Sequence, residues 1–562
     1  MSVLRIGNAS GYYGDRLGAV HEMLTGGELD VLTGDYLAEL TMLILGRDQL
    51  KDAKLGYAKT FVRQLENSLG TALEKGVKIV ANAGGLNPAG LVEAIREVAK
   101  GIGLDPKIGH VLGDDLRPRA KDLGFGDVLT ANAYLGCWGI ARCLNAGADV
   151  VVTGRVTDAS LVVGPAAAHF GWGREDYNQL AGATVAGHVL ECGTQATGGN
   201  FAFFHELDLS KPLGFPLAEI SEDGSSVITK HDGTGGAVTV ETVTAQLIYE
   251  VGNPAYLGPD VTSHFDSVKL TQQGPDRVHI SPAVGSQPPE TAKVCLNTLG
   301  GFKASITFIV VGLDIEAKAA WFQRQLEAEF GPEGLTFELA RTDREDADTE
   351  ETASALLHLT LRTADFNRAK KFKRVVAEIP LASYPGFAFT GGLGDAGPYG
   401  ICTSQFIPQA ELQHQAVLPD GSTVDIAPTA VSAESAPFAL SAETAPLWTD
   451  NGPTKRVPLG TILGARSGDK GSDANLGVWA RNPEAYRWLK SYLDEKKLAE
   501  LLPETAGLEV TRYELPHINA VNFMITGILD GGVAASARFD PQAKALGEWL
   551  RARHADIPEV LL

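Results

Sequence analysis

The chain has 562 residues, 44% of them hydrophobic and 21% charged, with a formal net charge of −21. Such a length leads to an expectation of about two to four domains, and such a composition excludes a disordered chain. The acidic balance excludes a nucleic-acid partner, which needs clustered Lys and Arg against phosphates, and no run approaches the roughly 18 apolar residues of a membrane span. The opening MSVLRIGNAS has no charged stretch leading into a long apolar run, so no secretion signal is expected. Cys137, Cys143, Cys192, Cys295 and Cys402 are scattered, without CxxC spacing. That argues against a disulfide framework or zinc site and for a reducing cytoplasm.

The first half repeats one pattern of short β-branched strand, polar loop and helix. LRIGNAS (residues 4–10) runs into Gly11, and LDVLTGDY (29–36) ends on Gly34 and Asp35. VKIVANAGG (77–85) ends on Asn82 and paired glycines, KIGHVLGDD (107–115) on Asp114 and Asp115, and ADVVVTGRVTD (148–158) on Gly154, Arg155 and Asp158. Helices are predicted over 35–45, 56–75, 88–100 and 134–145. The alternation predicts an α/β fold with a doubly wound, mostly parallel sheet, in a ligand-binding domain over residues 1–210. Ligands of such sheets sit beyond the carboxyl ends of the strands. One edge should therefore carry Asn8, Ser10, Asp35, Asn82, Asp114, Asp115, Arg155 and Asp158. Asn, Asp and Gly also make ordinary turns and helix caps, but five such loops in succession favour a crevice. The loop GNASGYYGDR (7–16), with Gly11 and Gly14, offers backbone N–H groups to a carboxylate, a thioester oxygen or a phosphate. Its glycine spacing is not that of a dinucleotide fingerprint and it lacks the Walker Lys-Ser/Thr, so no nucleotide cofactor is expected.

Two helical stretches lead into ECGTQATGGN (191–200). His188 precedes Cys192 by four residues and shares its face if the helix persists. A His beside a Cys can generate a thiolate nucleophile, although a buried Cys is also an ordinary core residue. A non-covalent role is the favoured reading. Thr194, Thr197, Gly198, Gly199 and Asn200 offer hydroxyls, an amide and close backbone approach to a substrate. Glu191, if buried, would have a raised pKa suited to acid–base work.

From about residue 211 the pattern becomes a mixture of strands and helices, an α+β region over 211–447. HDGTGG (231–236) brings His231 and Asp232 as candidates, against a plain hairpin turn. The Gly-dense stretch 384–400 reads as a loop, and the Pro- and Ala-rich stretch 426–448 as a connection. A small α+β unit of β-α-β-β-α type follows over 456–562. In it, ARSGDKGSDANLG (465–477) reads as a polar loop. Arg466 and Lys470 there are either point charges for a carboxylate or phosphate, or part of a solvated turn.

In order along the chain, GNASGYYGDR, TGDYLAELTM, NAGGLNP, GDD, TGRVTDASL, ECGTQATGGNF and ARSGDKGSDANLGV resemble the acyclic terpene utilisation (AtuA-like) family. The resemblance implies a large domain up to about Leu447 and a ferredoxin-like C-terminal domain. It also implies a role in bacterial catabolism of branched acyclic terpenoids through acyl-CoA intermediates. It assigns no reaction step and no catalytic residue.

Three functions follow. The first is hydration, dehydration or carbon–carbon cleavage of a branched, carboxylated acyl-CoA or small carboxylic acid. Asp35, Asp158 or Glu191 would move protons, and Arg155 with loop amides would hold a carboxylate or thioester oxygen. The second is thioester hydrolysis by Cys192 with His188. The third is a non-catalytic acyl-CoA-binding subunit. Asp35, Asp114, Asp115 and Asp158 raise the question of Mg²⁺, but adjacent acids alone do not make a metal site and none is expected. The net charge repels anionic CoA except where cations are focused, so Lys470, Arg466 and Arg155 should form a local basic patch. The size and composition fit a symmetric homo-oligomer.

Overall fold

A computed structural model describes residues 3–431, 446–449 and 452–562. Most of the connection expected over 426–448 lies outside the described residues. From the N-terminus the elements are β1 (Val3–Asn8), α1 (Ala19–Gly26), β2 (Val31–Gly34), α2 (Glu39–Lys51), α3 (Lys59–Glu66), α4 (Leu69–Lys75), β3 (Lys78–Ala81), α5 (Pro88–Gly101), β4 (Ile108–Leu112), β5 (Thr130–Ala133), α6 (Trp138–Asn145), β6 (Val150–Thr153), α7 (Ser160–Phe170), α8 (Tyr177–Glu191), β7 (Pro216–Ser221), β8 (Ser226–Lys230) and α9 (Val240–Leu247). The single helix expected over 56–75 is two, α3 and α4. Helix α5 starts where Asn87 caps it, accepting from Gly90 N, with Pro88 in the first turn. Helix α8 is buried at every residue from Leu180 to Glu191. It therefore has no polar stripe, as befits a helix enclosed on all sides.

Eleven strands form one sheet. At its centre β1, β2, β3, β6 and β4 lie side by side and parallel. Antiparallel strands flank them. Beyond β1 come β7, β8, Arg277–Ile280 and Leu270–Gly274. Beyond β4 come Gln415–Val417 and Thr423–Asp425. The expectation of a mostly parallel, doubly wound sheet is thereby corrected, because only the central junctions are parallel. The reason is local. Strands β7 and β8 are joined by a short Asp-Gly turn at Asp223 and Gly224, and a connection that short permits only antiparallel pairing. Strand β5 leaves this sheet and pairs instead with Val294–Asn297 of the long strand Thr291–Val311.

The C-terminal region folds as a four-stranded antiparallel sheet in the order Leu463–Lys470, Asp473–Ala480, Ala520–Ile525, Val510–Leu515. Helices Pro483–Tyr492 and Leu546–Ala552 pack against it. The polar loop expected over 465–477 is corrected here. Arg466 through Lys470 lie in a strand, and the chain reverses in two residues, with Gly471 at φ +66°. Glycine adopts this left-handed conformation without a Cβ penalty.

The chain forms two compact units. Met1–Asn297, Thr403–Ile528 and Gln542–Leu562 make the first, which contains the eleven-stranded and C-terminal sheets. Thr298–Cys402 with Leu529–Pro541 makes the second. In the second, Phe308, Phe322, Leu359 and Phe372 fill the core between paired strands and the helices Ile315–Phe330 and Phe366–Glu378.

Candidate active site

The five parallel strands put their carboxyl ends on one edge of the sheet, and hydrogen bonds join the loops there. Asp35 N donates to Ser10 O (2.9 Å). Asn82 Nδ2 donates to Asp35 Oδ1 (2.5 Å), while Asn82 Oδ1 accepts from Tyr36 N (2.7 Å). Asp114 Oδ2 accepts from Arg155 N (2.8 Å) and Asn132 Nδ2 (2.8 Å). The Arg155 guanidinium, buried to 3% exposure, donates to Leu37 O (2.8 Å) and lies 2.8 Å from Asp158 Oδ1. It stacks 4.2 Å over the Tyr134 ring, and Lys293 Nζ stands 4.7 Å from the same ring centre. Tyr134 OH donates to Glu39 Oε1 (3.1 Å), which Lys293 approaches to 3.5 Å.

This enclosure separates the carboxyls into two kinds. Burial, reinforced by the charge of Asp158, raises Asp35 well above the carboxylate range, and Arg155 and Asn82 only partly offset this. Burial, Asp158 and Glu250 do the same to Glu191. Burial would also raise Glu39, but Lys293 and Arg155 hold it down at about 2. The site thus carries carboxyls biased toward holding a proton, Asp35, Glu191 and Asp114, and one that is ionised, Glu39. Groups so divided suit acid–base work.

Glu191 ends α8 beside His188. His188 Nε2 is 3.1 Å from Gln246 O. A carbonyl only accepts, so Nε2 carries the proton and Nδ1 is bare. Burial lowers His188 to about 4, so its ring is neutral. Glu191 Oε1 approaches Nδ1 to 2.9 Å, but not at a hydrogen-bonding angle, and Nδ1 and Oε2 are left unpartnered.

The C-terminal sheet closes the site from the other side. Lys470 Nζ donates to Glu250 O (2.9 Å) and lies 5.9 Å from the Tyr256 ring centre. Burial, then the charge of Lys293, lower its pKa, although part of the side chain still reaches solvent. Burial, with Glu250 and Glu39, raises neighbouring Asp469 to about 7. Arg466 stacks 4.2 Å over Tyr249 and bonds Gln195 Oε1.

Residues 4–418 match the acyclic terpene utilisation family protein AtuA, and residues 457–556 match the AtuA ferredoxin-like domain. The chain belongs to the AtuA family. No curated protein and no solved structure matches it. Both AtuA regions contribute to the one cluster: Asp35, Arg155 and Glu191 from the first, Arg466, Asp469 and Lys470 from the second.

Several residues singled out in the AtuA motifs have structural partners instead. In the loop 7–16, Ser10 N donates to Asn8 Oδ1 (3.0 Å), Ser10 Oγ to Tyr12 O (3.0 Å) and Gly11 N to Asp15 Oδ2 (2.9 Å). The expected anion cradle is thus corrected at Ser10 and Gly11, whose N–H groups are taken by side chains of the same loop. Gly11 serves close approach, because a Cβ there would lie 2.7 Å from the Cys192 carbonyl carbon. A Cβ on Gly14 would lie 2.8 Å from the Tyr12 ring. Asn8 Nδ2 donates to Glu191 O (3.2 Å) and Leu190 O, tying the end of α8 to β1. In 191–200 the chain makes a 3₁₀ turn over Gly193–Thr197. Thr197 Oγ1 is spent on Gly214 O (2.7 Å) and Thr194 O (2.9 Å), and Asn200 is exposed in a left-handed turn with φ +57°. Gly198, with φ +117°, leaves room for Leu207. Gln195 is the residue of this run that meets Arg466.

His188 and Cys192 do lie at the same helix end, but they lack the electrostatics of a thiolate–imidazolium pair. Burial, Glu250 and Glu191 all raise the Cys192 thiol, and His188 is neutral. His231 Nε2 is 2.9 Å from Met23 O, and the ring packs on Gly26 and Gly27 away from the cluster. Asp115 pairs with Arg117 (2.6 Å). Among the described residues no three His, Cys, Asp or Glu side chains are grouped to hold a metal ion, and no helix is long and apolar enough to cross a membrane. Glu39, Tyr134, Gln195, Glu250, Tyr256 and Lys293 were not singled out from sequence. Glu39, four residues beyond Asp35 in the motif TGDYLAELTM, and Gln195, inside ECGTQATGGN, were within reach.

Proposed function

We propose that this AtuA protein is an acid–base lyase acting on a branched, carboxylated acyl thioester, by adding or removing water or by breaking a carbon–carbon bond. The observation that carries this reading is the pair Asp35 and Glu191, two buried carboxyls raised by burial and by the shared neighbour Asp158. A carboxyl that holds its proton can donate it as a general acid, and its conjugate base can take it back. Arg155 and Lys470 supply the positive charge that a substrate carboxylate, or the enolate oxygen of a thioester, requires. These cations lie inside the site rather than on an open patch, so they meet the acyl end of the ligand and not the phosphates of CoA. In hydration, water would add across a carbon–carbon double bond, its hydroxyl to the β-carbon and a proton from Asp35 or Glu191 to the α-carbon, the carboxylate so formed recovering the proton that the water gives up. Dehydration is the reverse.

The test is turnover of branched, carboxylated acyl-CoAs followed by mass spectrometry of the products. Wild-type turnover, lost in Asp35→Asn and Glu191→Gln while binding persists, supports the proposal. Binding without turnover by the wild type would make the chain an accessory acyl-CoA-binding subunit. No binding of any acyl-CoA would remove both readings. We further expect a cytoplasmic homo-oligomer.

A further inference from the structure

Tyr134, Tyr249 and Tyr256 stand around the acid cluster, and their hydroxyls differ in what they are spent on. Tyr134 OH donates to Glu39 Oε1 (3.1 Å), and Tyr249 OH accepts from Lys544 Nζ (2.7 Å). Tyr256 OH makes no hydrogen bond among the described residues. Tyr256 is part-exposed, and its hydroxyl is open to solvent rather than sealed without a partner.

The ring behind that hydroxyl is held in place. Its strand, Ala255–Leu257, pairs with Thr262–His264. The ring stacks on Phe265, with centroids 5.1 Å apart and planes 24° apart, and lies 5.8 Å from His188. Phe265 in turn meets His188 edge-on at 5.2 Å. His188 thus touches both the Tyr256 ring and Glu191, the latter at 2.9 Å. On the open side Lys470 Nζ stands 5.9 Å from the Tyr256 ring centre. Burial, then the charges of Glu191, Asp158 and Glu250, raise Tyr256 well above the usual phenol range, so the hydroxyl keeps its proton. A protonated phenol on a packed strand, with no acceptor in the protein, is a donor set in place for a ligand oxygen.

We infer that Tyr256 is a catalytic residue of this site, donating a hydrogen bond to the thioester oxygen of the substrate. The inference rests on the lyase reading of the cluster. Adding water across the α–β double bond, removing it, or breaking the α–β bond of a β-hydroxy thioester each draws an electron pair onto that oxygen as an enolate. The hydrogen bond from Tyr256 strengthens as the charge forms, and the phenol O–H bond is not broken. In hydration the pair returns to the α-carbon as that carbon takes its proton. Lys470 and Arg155 are then left for the substrate carboxylate.

The test is isotope-edited infrared spectroscopy of bound 3-methylglutaryl-CoA, with the heavy carbon isotope at the thioester carbonyl. This probe is saturated and has no β-hydroxyl, so it can be neither hydrated nor dehydrated. Its carbonyl band is expected at lower wavenumber on the wild type than in free solution. Tyr256→Phe keeps the ring against His188 and Phe265 and removes only the hydroxyl. In that variant the band is expected to return toward its free position, with calorimetric affinity changed by less than about tenfold. Turnover of acyl-CoA substrates should fall about a hundredfold or more, as for loss of one oxyanion donor. A band equally shifted in wild type and Tyr256→Phe would overturn the inference while leaving the lyase reading intact. A wild-type band left at its free position would overturn it without any variant. A Tyr256-dependent shift in a protein that turns over no acyl-CoA would uphold the contact and remove the lyase reading. No binding of the probe would overturn the inference. Circular dichroism confirms that the variant is folded.

Discussion

Asp114 and His188 are both buried, yet their protonation couples to stability in opposite directions. Asp114 rises from 3.8 to about 7, chiefly through burial. The native state therefore keeps a proton that the unfolded chain has lost. Its stabilisation is full below pH 3.8 and is lost as pH rises through 7. Burial moves His188 from 6.5 to about 4. Its contribution is present above pH 6.5 and is lost as pH falls through 4. Asp114→Asn keeps an oxygen to accept from Arg155 N and should flatten the decline in urea midpoint between about pH 4 and 7. His188→Asn should flatten the decline on the acid side. An unaltered pH profile in either variant would refute the corresponding assignment. Cys192→Ala should keep wild-type turnover, because its thiol is held protonated and its neighbouring imidazole is held neutral. At this scale the sequence was legible where a polar residue interrupts a Gly-rich run, as with Asp35, Arg155 and Glu191. Lys293 and Glu250 sit in stretches with no such signal and join the site only through tertiary contact.

Among the elements, α8 shows how tightly the central layer is packed. A Cβ on Gly182 would lie 2.1 Å from Gly224 O, in the turn between β7 and β8. The helix cannot yield without moving that turn. Gly182→Ala should therefore destabilise by about 1–3 kcal/mol, as overpacking does. At Gly101, at the end of α5, an added Cβ would meet nothing within 4 Å, and the backbone has no left-handed φ. Gly101→Ala should stabilise by about 0.4–1 kcal/mol through the unfolded chain. Urea midpoints of the two variants at one pH decide both, and equal shifts would contradict the packing argument. The parallel strands were readable because β1, β2, β3, β4 and β6 are short apolar runs stopped by Gly, Asn or Asp. The antiparallel flanks were not, since pairing partners such as Gln415–Val417 beside β4 lie some 300 residues away in sequence. Likewise, Arg466–Lys470 reads as loop by composition. Its strand character comes from pairing with Asp473–Gly477.

Across the molecule, the ferredoxin-like sheet reaches the site through a buried clamp as well as through Arg466 and Lys470. Asn475 Nδ2 donates to Ile248 O (3.0 Å) and Val251 O (3.1 Å), and its Oδ1 accepts from Glu250 N (2.8 Å). Asn522, bonded to Asn475, donates to Gly252 O (3.0 Å). The clamp holds Glu250 in a left-handed conformation, φ +57°, which a non-glycine residue keeps only when its surroundings impose it. Glu250 O is in turn the acceptor of Lys470 Nζ. Asn475→Ala strips partners from a buried N–H and two carbonyls, a loss of about 1–3 kcal/mol for each group left unsatisfied. The strained turn should then relax and release Lys470. Asn475→Asp keeps the acceptor for Glu250 N but adds a buried charge beside two carbonyls, so it should restore neither stability nor turnover. Melting temperature and acyl-CoA turnover, measured on both variants, check this. Turnover should fall out of proportion to the loss of folded protein at the assay temperature. If turnover merely tracks the folded fraction, the ferredoxin-like sheet supports the fold without positioning Lys470.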